Sequence, residues 1–232
     1  MLARQEQIRS LSERIRQLEQ SRCRPHRQSD VAHDSATLLR LLGHRELPNG
    51  CLIEWLAEGP GAGLATLAWM TLQSLRREAM LVVIDSRREF YAPSVVPLGV
   101  DLRRIVWLRP QTTNDALWAL EQTLRTREVG GVLCDIERFT ANQFRRMQLA
   151  AEAGETCGML LRPASVRRQP TWAEARLLVT PQPLGNEASR RWRVEVLRAK
   201  GRFSGNVIQV ELSHGPDGLC VAAELASATP AA

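Results

Sequence analysis

Residues 51–65 read Cys-Leu-Ile-Glu-Trp-Leu-Ala-Glu-Gly-Pro-Gly-Ala-Gly-Leu-Ala, and this stretch decides the fold. Positions 51–57 are apolar apart from Glu54 and predict a buried strand. Glycines at 59, 61 and 63 then force a tight turn, and a helix is expected from about 62 to 77. Strand, glycine-rich turn and helix is where α/β proteins hold a phosphate, because a helix start offers free N–H groups and a positive dipole end. The working loop follows G-x-x-x-x-G-K-[ST], with lysine on the outer phosphates and the hydroxyl on magnesium. Over 58–65 that pattern puts Glu58 at the first glycine, Leu64 at the lysine and Ala65 at the hydroxyl. The turn of Gly59, Gly61 and Gly63 survives while both charge-handling side chains are missing. Glu58 adds a carboxylate that repels phosphate. A tight turn without a ligand is the better reading of the two.

Outward from the turn, strands and helices alternate. Strands are expected at 80–85, 104–108, 131–135 and 158–161, with helices at 35–42, 112–127 and 140–153. That alternation means βαβ units and a mostly parallel sheet. After Arg176 the pattern changes to strands at 176–180, 192–199, 207–212 and 219–222, joined by loops as antiparallel hairpins. The fold class is therefore α/β, a mostly parallel sheet flanked by helices and extended by antiparallel strands. Residues 35–222 form the core and 223–232 a disordered tail. Ahead of the core, 2–20 read as an amphipathic helix with Ile8, Leu11, Ile15 and Leu18 on one stripe. A polar linker, 21–34, follows it. Two heptads are too short to stand alone, so this stripe docks on its own domain, on a second copy or on a partner.

The chain has 232 residues, 44% of them hydrophobic, enough for one full-sized core. Apolar runs such as 79–84 are far shorter than the ~20 residues that span a bilayer. Residues 1–20 carry charge throughout and do not form a secretory signal, so a cytoplasmic location is expected. Cysteines at 23, 51, 134, 157 and 220 have no metal or disulfide spacing and read as buried thiols. Of the 31 basic residues only Lys200 is a lysine, which excludes a phosphate-loop lysine anywhere else. Neither a cofactor nor a metal is expected. Charge is uneven: residues 160–202 hold ten basic residues against three glutamates, while the rest of the chain is close to neutral. A local surplus of that size points to a polyanion partner.

Several short motifs occur in one order: Ser35-x-x-Leu38-x-x-x-Leu42-Gly43, Leu47-Pro48-x-Gly50, the glycine turn, Ile84-Asp85, Leu98-Gly99-Val100-Asp101 and Gly131-Val132-Leu133-Cys134-Asp135. From 35 to 212 this series resembles the RecA/RadA recombinase core, with Asp135 as the residual Walker B aspartate. The departures carry as much information. Where the recombinases hold a glutamate that activates water, two residues beyond the Ile-Asp strand end, this chain has Arg87. Both recombinase DNA loops are trimmed, the second to about 162–171. The resemblance therefore implies a RecA-like core with no catalytic residues.

A RecA-like core with a dead loop and a basic end resembles the ImuA family of bacterial translesion-synthesis accessory proteins, to which the division inhibitor SulA is related. The resemblance implies induction by DNA damage. It also implies assembly with an ImuB-like inactive Y-family polymerase and with an error-prone replicative-type polymerase. The alternative is a SulA-type inhibitor that binds FtsZ. Candidate DNA contacts are Arg162, Arg167, Arg168, Arg190, Arg191, Arg193, Arg198, Lys200 and Arg202, with Trp172 and Trp192 as possible stacking rings. The candidate protein contacts are Ile8, Leu11, Ile15 and Leu18.

Overall fold

The computed structural model describes residues 49–59, 61–73, 79–183, 189–200, 205–215 and 218–226. The N-terminal helix stripe, Ile8, Leu11, Ile15 and Leu18, and Arg202 lie outside them, as does the helix expected at 35–42. The first strand, β1 (Leu52–Ala57), is buried along its whole length and runs into the glycine turn. Helix α1 (Leu64–Leu72) follows. Then come β2 (Met80–Ile84), β3 (Ile105–Leu108), α2 (Thr113–Leu124), β4 (Val129–Asp135), α3 (Ala141–Gly154) and β5 (Cys157–Pro163). The chain ends in β6 (Ala175–Gln182), β7 (Ser189–Ala199), β8 (Val207–Gly215) and β9 (Gly218–Ala226).

Both long helices start where the sequence provides a cap. Thr112 accepts from the Asp115 N–H while the Asp115 carboxylate accepts from the Thr112 N–H, and Thr140 and Gln143 do the same for α3. Each box ends a loop and fixes the direction in which its helix crosses the sheet.

The described strands form one sheet in the order β3-β2-β4-β5-β1-β6-β7-β8-β9. Neighbours from β3 through β6 are parallel, and those from β6 to β9 antiparallel. The carboxyl ends of the parallel strands thus share one edge, where β1, β2 and β4 deliver the glycine turn, Asp85 and Asp135. One core packs Ile53, Trp55, Val83 and Met159 against Leu67 and Met70 of α1, and continues into Val194 and Val196 of β7. The other packs Leu52, Val132 and Leu160 against Leu120 of α2 and Phe144 and Met147 of α3. Alternation along β1 sends Ile53 and Trp55 to one face and Leu52 to the other.

One expectation needs correction. The last strand runs to Ala226, four residues into the stretch read as a disordered tail, because 218–226 pair along β8 from Gly215↔Gly218 to Val207↔Ala226. Among the described cysteines, Cys51, Cys134 and Cys157 are buried free thiols, as read. Neighbouring strands bring the Cys51 and Cys157 Sγ atoms to 3.5 Å. Among the described residues, no helix is long and apolar enough to cross a membrane.

Candidate functional site

The glycine turn has positive φ at Gly59 (88°), Gly61 (74°) and Gly63 (82°), so its backbone needs glycine. Gly63 is constrained a second time. A Cβ there would lie 2.3 Å from the Trp192 indole nitrogen, so the ring of β7 is seated directly on the turn. Trp192 is buried, and its candidate role as a stacking ring is corrected to that of a wedge locking the turn. Leu64, the first residue of α1, packs against the core while Ala65 faces solvent, so neither side chain offers a polar atom to a phosphate.

Beside the turn lies a cleft of about 510 Å³ lined by Gly59, Gly61, Gly63, Phe90, Leu133 and Asp135, among others. Asp85, at the end of β2, folds the next segment over it. Its carboxylate accepts from the Glu89 N–H (2.9 Å), the Phe90 N–H (3.2 Å) and the Trp107 indole N–H (3.1 Å). Within that turn Arg88 takes a left-handed conformation, φ 60°. The turn delivers Arg87 to Asp135, with Nε 2.7 Å from the carboxylate, and a second Arg87 nitrogen lies 3.1 Å from Glu137. Burial raises the Asp135 carboxyl to about 6; Arg87 pulls it down, while Glu89, Glu137 and Asp85 push it up. The candidate Walker B residue is thus held by a cation from its own chain.

The basic segment separates into three groups. Arg162 and Arg176 are buried on either side of Glu54, at 2.5 Å and 2.7 Å from its two oxygens. Arg162 is therefore no surface cation, and its place among the DNA contacts is corrected. Arg191, Arg193 and Lys200 are exposed or half-exposed but meet Glu211 (2.6 Å), Glu195 (3.6 Å) and Glu174 (3.9 Å). Arg167, Arg168 and Arg190 are exposed with no carboxylate partner among the described residues, and Arg198 donates to the Thr171 carbonyl. Arg198, near the end of β7, and Lys200, just beyond it, are both exposed. Trp172 is 48% exposed, with the Arg145 guanidinium 4.8 Å from its ring centre.

The sequence reading missed Glu54 and Arg145. Glu54 was legible, because one carboxylate inside an otherwise apolar strand must be paired when buried. Arg145 gave no local signal; only the packing of α3 beside the 164–174 loop brings it to Trp172.

Fold and cleft together define an α/β protein with a glycine turn that leads into a helix starting Leu64-Ala65, and with a strand-end carboxylate paired to Arg87. The chain is similar to the proteins named ImuA from two strains of Caulobacter vibrioides, NA1000/CB15N and ATCC 19089/CB 15. In each case it is 27% identical over 192 residues, 74% of this chain and 78% of the relative. It is also 29% identical over 92 residues to a protein named cell division inhibitor SulA from Edwardsiella piscicida, covering 40% of this chain and 49% of that one. No family model matches the chain. The resemblance read from the motifs, to ImuA with a link to SulA, stands.

Proposed function

We propose that this chain is a RecA-like, non-catalytic accessory factor of damage-induced, error-prone translesion DNA synthesis. It acts by assembling with an ImuB-like inactive Y-family polymerase and an error-prone replicative-type polymerase at damaged DNA. The observation that carries this reading is the similarity to ImuA across 74% of the chain. The strand order and the motif series support the RecA-like core. Leu64, Ala65 and the Arg87–Asp135 pair support the absence of nucleotide chemistry. DNA contact falls to the exposed cations Arg167, Arg168, Arg190 and Arg198, with Arg191, Arg193 and Lys200 as tethered neighbours.

Two experiments test the proposal. In a host lacking its ImuA, the chain should restore damage-induced mutation and co-purify with the ImuB-like polymerase; failure of both overturns the reading. Adding single-stranded DNA and ATP should give no turnover, and measurable hydrolysis overturns the non-catalytic part.

The SulA similarity favours a second reading, a division inhibitor that binds FtsZ, over a shorter span. Under the first reading, equimolar protein leaves FtsZ polymerisation unchanged.

A further inference from the structure

Helices α2 and α3 lie side by side on the sheet face of Leu52, Val132 and Leu160. Each buries one stripe there, Leu117, Leu120 and Leu124 on α2 and Phe144, Met147 and Ala151 on α3. The outward positions of such a layer are normally polar. Two of them here are large and apolar: Trp118 is 67% exposed and Leu149 46%. Neither belongs to a core cluster, and tryptophan is a middling helix former, so the fold gains little from either. The two also share one surface. Glu121, one turn on from Trp118, takes the Arg125 guanidinium at the end of α2 (2.8 Å) and the Arg146 guanidinium of α3. Leu149 stands one turn on from Arg146. An ion cluster thus bridges the two helices, with Trp118 on one bank and Leu149 on the other. Arg145 extends the surface to the exposed Trp172, its guanidinium 4.8 Å from the ring centre. Apolar side chains grouped within a polar rim are the usual form of an interaction surface.

Charge says what kind of partner fits. The single carboxylate of Glu121 is buried and shared by two guanidinium groups. Arg145 donates to Gln148 and has no carboxylate partner among the described residues. Gln148 in turn donates to Glu152 (2.8 Å), an exposed carboxylate on the same helix. Three cations therefore face two anions, one of them already committed, and the surplus favours an acidic partner. A phosphate backbone fits poorly, because Glu121 and Glu152 lie within the surface and a leucine offers no stacking face to a base. An amphipathic helix meets both requirements. Apolar residues three or four apart cover Trp118 and Leu149, while carboxylates between them reach the arginines. Tryptophan and arginine are also the side chains that most often anchor interfaces.

We propose that the α2–α3 layer is a docking surface for an acidic amphipathic helix of a partner protein, with Trp118 and Leu149 as apolar anchors and Arg145 and Arg146 facing its carboxylates. This rests on the assembly part of the function proposed above and gives that assembly a surface. In the test, the full chain with p-benzoylphenylalanine in place of Leu149 is irradiated in the presence of the ImuB-like polymerase and the error-prone polymerase, and cross-linked peptides are sequenced by mass spectrometry. The expected peptide comes from a polymerase, holds more Asp and Glu than Lys and Arg, and has apolar residues three or four apart. A peptide from residues 1–48 of the chain itself, or from a second copy, overturns the proposal. So does a polymerase peptide with a basic surplus, and so does the lack of any cross-link while the complex co-purifies. Trp118→Ala should weaken capture of the cross-linked polymerase about 10- to 100-fold in biolayer interferometry. Arg145→Glu should weaken it most at low salt. Both variants should melt within about 2 °C of the unchanged chain, as outward positions without core contacts do. Unchanged capture by Trp118→Ala overturns the surface and leaves the assembly reading standing, whatever its melting temperature. Failure of the unchanged, folded chain to capture either polymerase overturns both.

Discussion

Glu54 is fully buried between two guanidinium groups, and the three side chains stand or fall together. Removing the carboxylate alone strands two buried cations, so Glu54→Gln should cost about 3–5 kcal/mol in urea denaturation. Replacing the set, Glu54→Leu with Arg162→Met and Arg176→Met, should recover most of that loss. Asp135 is a separate case. Its carboxyl is raised by burial to about 6, so the folded chain holds this proton more tightly than the unfolded chain does. Its contribution to stability is complete below the ordinary aspartate range and is lost as pH rises through 6. Arg87 is the group that pulls the value down. Arg87→Ala should therefore move the Asp135 titration above 6 in a carboxyl NMR experiment, and a value at or below 6 would contradict the pairing.

Elements form here for local reasons that can be removed one at a time. Thr112→Ala and Thr140→Ala each delete half of a capping box and should cost about 1 kcal/mol apiece, read by thermal melts. These helices were legible from the sequence, as were the described strands, because apolar periodicity and caps act over a few residues. Strand ends differ from the expected ones by a few positions, and β9 runs further than its alternation predicts, since its pairing to β8 is a long-range matter. The cleft was half legible. Leu64, Ala65 and Arg87 could be placed by motif, whereas Arg87's contact with Asp135 depends on a turn folded by Asp85. The basic segment was legible as charge only. Alternation on a strand does not reveal that Arg162 and Arg176 share a partner in β1, 108 and 122 residues earlier. At this scale Leu64→Lys with Ala65→Thr should restore no ATP turnover, because Arg87 still holds Asp135.

For the whole molecule, the sheet joins a parallel half that carries the glycine turn to an antiparallel half that carries Arg190, Arg193 and Arg198, and Trp192 links the two at Gly63. Trp192→Ala should loosen that link and lower the melting temperature, since truncating a core tryptophan costs about 3–5 kcal/mol. Residues 2–20 offer four aliphatic side chains worth roughly 1.5–3 kcal/mol each on full burial. If the stripe serves the assembly proposed above, a chain beginning at Asp34 should keep its melting temperature and lose self-association or capture of the ImuB-like polymerase, measured by light scattering and pull-down. Loss of stability with assembly intact would place the stripe on its own domain. The Arg87–Asp135 pair reaches furthest. A carboxylate neutralised by its own chain sees a constant counter-ion, whatever the supply of ATP or magnesium. Under the non-catalytic function proposed above, this cleft gives a complex no chemical timer.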